Sequence, residues 1–119
     1  MVFMLFRKAF FMGYHDNKDC IEACLQCIAI CNHCAASCLQ EGNVEMMKEC
    51  IRLDLDCADL CDLAVKLMSR GSDQASRVCI ICADACDACA EECAKHDTEH
   101  CRECVAACSR CAQACRDMR

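Results

Sequence analysis

The sequence predicts an all-α protein, an antiparallel up-down-up-down four-helix bundle with a cysteine-lined core, and three observations carry that prediction. Cysteines recur at alternating steps of four and three, the rhythm of a helix that keeps one face toward a partner. They do so as Cys20, Cys24, Cys27, Cys31, Cys34 and Cys38, as Cys79, Cys82, Cys86, Cys89 and Cys93, and as Cys101, Cys104, Cys108, Cys111 and Cys115, with a sparser copy at Cys50, Cys57 and Cys61. There is no proline, and Gly13, Gly42 and Gly71 lie between the periodic segments, so nothing interrupts the helices. The connections left over are short, which makes sequential helices antiparallel neighbours. At 119 residues the chain is one domain with a modest core.

Residues 1–14 are apolar but broken by Arg7 and Lys8. They lack the charge-first order of a signal peptide and are too short to span a bilayer. Phe3, Phe6 and Phe10 step by helical intervals, so a short docking helix is one expectation; an unstructured segment with translation starting at Met12 is the other. The first bundle helix is expected over about residues 16–40, with Asp16 or Asn17 as cap and Glu41-Gly42-Asn43 as its stop. The second runs over about 44–70, from Asn43 to Gly71 at the C′ position. Its stripe reads Met47, Cys50, Asp54, Cys57, Cys61, Ala64 and Met68, which places Asp54 on the sulfur face. Leu53, Leu60 and Leu67 form a second row for packing between helices or subunits. The third helix is expected over about 73–95, capped by Ser72 or Asp73. The fourth follows the turn at His96-Asp97-Thr98 and covers about 98–117.

Composition excludes several functions. A net charge of −6 leaves no basic patch for nucleic acid. Nineteen cysteines cannot all pair within one chain. Helical neighbours three or four apart have Cβ atoms about 5–6 Å apart, whereas a disulfide wants about 3.5–4.5 Å. Reduced thiols and a cytoplasmic location follow. Six C-x-x-C pairs occur, but most sit mid-helix and face inward, unlike the exposed helix N-termini of thiol redox enzymes.

Nineteen thiols on inward positions are too small to fill a bundle core alone, and metal is the expected filler. Soft thiolates select Cu(I), zinc or iron–sulfur clusters. Cluster motifs belong to chain that curls around a cube, not to straight helix. A zinc site of four thiolates carries a double negative charge, and stacking such sites in a core is costly. One Cu(I) per thiolate is neutral, and eight pairs at i and i+4, such as Cys27/Cys31 and Cys104/Cys108, can each hold an ion from a single helix. Multiple Cu(I) ions per chain are therefore expected, with zinc or iron–sulfur binding, then thiol redox chemistry, as the alternatives.

Topology gathers Cys38, Met46, Met47, Cys50, Cys93, His96, His100 and Cys101 at one end, and Cys20, Met68, Cys79, Cys115 and Met118 at the other. His96 continues the stripe beyond Cys93, and His100 precedes Cys101. Both are candidate ligands or entry groups, or else solvated turn residues. Asp54 is a ligand or a polar partner. His33 lies off the stripe, on the surface, and Met46 and Met47 are core rather than ligands. No nucleophile–base constellation stands out, so an enzyme is not expected.

From about residue 16 to the end, the chain resembles the cytosolic copper storage proteins. The resemblance rests on Cys20-Ile-Glu-Ala-Cys24, Cys31-Asn-His-Cys34, the run from Cys50 to Cys61 through Leu53-Asp54-Leu55, and Lys95-His96-Asp97 leading to His100-Cys101. It implies a homotetramer of four-helix bundles, each holding many Cu(I) ions, with the histidine-bearing end as the mouth. Exchange with a copper chaperone or a recipient enzyme is a separate expectation that goes with a storage role. Residues 1–14 depart from the family pattern.

Overall fold

The computed structural model describes residues 13–118, so the aromatic positions Phe3, Phe6, Phe10 and Phe11 lie outside the described residues. Four helices follow in order: α1 (Lys18–Cys38), α2 (Lys48–Arg70), α3 (Ala75–Cys93) and α4 (Glu99–Asp117). A 3-10 turn, Val44–Met47, leads into α2 where continuous α-helix was expected. Tightening of this kind is common at helix starts.

The helix ends differ in how they are closed. Gly71 adopts φ 65°, ψ 36°, and its amide and that of Ser72 return to Met68 and Leu67 carbonyls, closing α2 in the left-handed cap that glycine permits. Thr98 is extended, and its hydroxyl accepts from the Cys101 amide at 3.2 Å, a side-chain cap at α4. Asn17 stands at the α1 N-cap, but its side-chain amide donates to the Gly13 and Met68 carbonyls, tying α1 to the end of α2. Before α3, Ser72 accepts from the Gln74 amide, so the cap position itself passes to Gln74.

Each helix packs on two others in a closed ring, α1 on α2, α2 on α3, α3 on α4 and α4 on α1. The buried core side chains are Cys, Ala, Ile21, Met47, Met68 and Asp54, with Leu53, Leu60 and Leu67 half-buried beside them. The outer faces carry ion pairs such as Lys66–Asp62 within α2 and Arg116 to Asp84 and Asp87 across α3 and α4. Among the described residues α1 alone is long and apolar enough to cross a membrane. Its apolar stripe is the thiol row, and that row faces the bundle interior.

Candidate metal centre

The antiparallel register lays the sulfurs out as a ladder. Between α1 and α4 the rungs are Cys20–Cys115, Cys24–Cys111, Cys27–Cys108, Cys31–Cys104 and Cys34–Cys101, with sulfur separations of 3.6–3.9 Å. Between α2 and α3 they are Cys50–Cys93, Cys57–Cys86 and Cys61–Cys82, at 3.3–3.4 Å. Cross-links such as Cys27–Cys57 and Cys89–Cys104 join the two ladders into one column. All nineteen thiols are free and buried. The sulfurs close on one another at contact distance, so the small core residues draw the helices together rather than leaving the core underfilled.

Sulfurs gather into sets whose ligand atoms lie within 4.8 Å of each other, among them Cys24/Cys82/Cys111/Cys115, Cys27/Cys31/Cys57/Cys108, Cys31/Cys89/Cys104/Cys108 and Cys34/Cys50/Cys93/Cys101. Cys31 and Cys108 each belong to two of these sets. Shared sulfurs suit bridging thiolates and soft, low-coordinate ions better than separate closed tetrahedra.

Asp54 occupies the rung of α2 that faces Cys89. Its Oδ1 accepts from the Cys89 thiol at 3.0 Å, Cys104 at 3.2 Å and Cys93 at 3.7 Å, and its Oδ2 from Cys50 at 3.8 Å. Burial first, then the Cys89 and Cys104 thiols, pushes its pKa up to about 11. The carboxyl is neutral inside the metal-free column, since an ionised one would need a counter-charge.

The two histidines part company. His100 points its Nδ1 at three thiols, Cys34 at 3.4 Å, Cys101 at 3.6 Å and Cys38 at 4.0 Å. Glu41, expected only as part of a helix stop, holds the other ring nitrogen at 3.1 Å. An acidic residue in the loop at the same end was the one sign of it, since a carboxylate on the far nitrogen is the usual orienting partner of a ligand histidine. His96 instead sets its Nε2 against Glu92 at 2.9 Å, and that ring holds the Glu92 carboxyl below its ordinary range. At this end burial raises the Cys38 and Cys101 thiols above their ordinary pKa. Met47 is buried while Met46 is exposed, and His33 is an exposed residue of α1 that lines a surface cleft with His100.

A helical bundle with a continuous, reduced thiol column along its axis is a metal-sequestering scaffold. The chain belongs to the copper storage protein family, whose model, described as Csp, copper storage protein, matches residues 14–119. It is 50% identical to Csp3 of Bacillus subtilis, solved in Cu(I)-bound and apo forms that superpose with TM-scores of 0.82 and 0.78. Those matches cover 85% of this chain and 95% and 96% of theirs. Ccsp of Streptomyces lividans, loaded with 10 copper equivalents, is 40% identical with a TM-score of 0.85, covering 90% of this chain and 86% of that one. A further structure of the Streptomyces protein, with five coppers, is described as cytosolic; it is 42% identical with a TM-score of 0.83, covering 86% of this chain and 90% of that one.

Proposed function

We propose that this protein is a cytoplasmic store for Cu(I), taking up many ions along the thiol column and acting as a reservoir rather than as a catalyst. The observation that carries this reading is the sharing of sulfurs between adjacent sets, which lets thiolates bridge ions and keeps the ratio of charge to ligand near neutral. The ligands are the nineteen cysteines, joined by His100 at one end. Asp54 serves as an acceptor within the column that can turn to an ion once its proton is lost. His96, held by Glu92, acts beside the mouth rather than inside it. Relatives described as Cu(I)-bound and as loaded with several coppers support the choice of metal. Exposed Leu25, Leu55, Leu63, Ile80 and Ile81 on the outer faces support assembly into a homotetramer. A copper chaperone or a recipient enzyme completes the exchange.

Anaerobic titration of the reduced protein with Cu(I) against a chromophoric chelator tests the reading. Uptake should outcompete the chelator until more than about ten ions are bound, as soft-ligand bridging allows. Saturation at one or two ions, or preference for zinc over Cu(I), overturns it. Light scattering on the same sample reads the tetramer.

A further inference from the structure

Access to the column differs between its two ends. At the histidine-bearing end, Cys34, Cys38, Cys50, Cys93 and Cys101 are completely closed off from solvent. At the opposite end, Cys20 is 6% exposed, Cys115 2% and Cys79 1%, and every other thiol of the chain is at zero. Above Cys20 lies a cleft of about 490 Å3, lined by His15, Asp16, Asp19, Asp117 and Met118, with Lys18 as the one lysine among the described residues that line it.

The register explains what happens beneath that cleft. Opposite Cys79, the stripe of α2 carries Ala64 instead of a thiol, so the α2–α3 ladder stops at Cys61–Cys82. Cys79 turns instead to the residue that follows α4, where its thiol donates to the Met118 thioether at 3.8 Å. Cys20 meets Cys115 at 3.7 Å on the same level. Three thiols and a thioether thus converge where sulfur reaches solvent. A thioether is soft but neutral, and it binds Cu(I) without a proton to lose. A donor of that kind suits a site that passes ions on. Among the described lining residues three carboxylates stand against one lysine, a balance that draws cations.

We propose that this end is a second port for Cu(I), with Met118 as an additional ligand that receives or releases ions through Cys20, Cys79 and Cys115. The proposal rests on the storage reading, and two measurements on the full chain separate them. In the first, reduced metal-free protein is treated with a bulky maleimide and the modified peptides are mapped over time. Cys20 should react first. Earlier reaction of Cys34, Cys38 or Cys101 overturns the port whatever the protein stores.

The second compares the unsubstituted protein with Met118→Leu, a swap close in volume that the site can hold, for loading from a Cu(I)–chelator complex and for withdrawal by excess chelator. The substitution should slow both by roughly threefold or more while lowering capacity by at most about one ion, because one soft donor is lost from many. Unchanged rates in a variant that still fills overturn the port alone. Failure of the unsubstituted protein to fill overturns storage, and the port falls with it. An unfolded variant would show as lost helicity, and the labelling order then decides.

Discussion

Asp54 and His100 bring oxygen and nitrogen onto the thiols of the column, each in its own way. Asp54 takes the place of a thiol on the α2 ladder and is satisfied by S–H donors from α2, α3 and α4. Its folded pKa lies near 11, well above that of an unfolded chain. Between the two values the unfolded chain has lost a proton that the folded one keeps, so the unfolded state gains as pH rises. Metal-free stability should therefore fall from mildly acidic to alkaline pH, by at most about 1.4 kcal/mol per pH unit for one proton. Asp54→Asn should flatten that slope, as urea midpoints at acidic, neutral and mildly alkaline pH would show. An unchanged slope would mean that other groups set it. For the histidines, His100→Ala should loosen the most weakly held Cu(I) by roughly tenfold, the scale on which a ligand's environment acts. His96→Ala should change it by less than about twofold, because Glu92 already engages that ring. Chelator competition near full loading reads both.

At the level of elements, the helix termini carry little sequence redundancy and so offer clean tests. Gly71 sits in the left-handed region, where an added side chain costs about 1–2 kcal/mol. Gly71→Ala should lower the unfolding free energy by about that amount without altering copper capacity. Thr98→Ala removes the only side-chain cap among the four described helices that reaches its own first turn. Its expected cost is about 1 kcal/mol. Both are read in the metal-free protein by denaturant unfolding, and a null result at Gly71 would mean that the cap relaxes into another turn. These features were partly legible. Gly71 was expected at its position from the glycine between two periodic runs. Asp16 or Asn17, and Ser72 or Asp73, were expected as caps. Asn17 does hold the cap position of α1 but spends its side chain elsewhere, and before α3 the cap position passes to Gln74, because a cap bond depends on where the neighbouring backbone runs.

For the whole molecule, the metal-free bundle is held by thiols in contact, by alanines, by Ile21 and by two buried methionines, with no aromatic ring in the described core. Copper bound by several helices at once stabilises the folded state over an unfolded chain that binds it less cooperatively. Anaerobic melts should therefore shift upward with each increment of Cu(I), and coincident melts of loaded and metal-free protein would contradict binding inside the fold. Copper should also protect the thiols from alkylation, with Cys20 the last to be shielded if ions are exchanged at that end.

Sequence alone determined the four bundle helices, the inward row of sulfur on each and the place of Asp54 in that row, because helical periodicity assigns a face before any partner is known. It also determined the class of ion, since thiol chemistry does not depend on the fold. Only the tertiary structure decided which thiols share a set, that His100 rather than His96 turns onto sulfur, and that the Cys79 thiol meets the Met118 thioether. Those relations depend on the register between helices and on the direction of single side chains. Both arise from packing across residues far apart in the chain, and a pattern read along one helix carries no record of them.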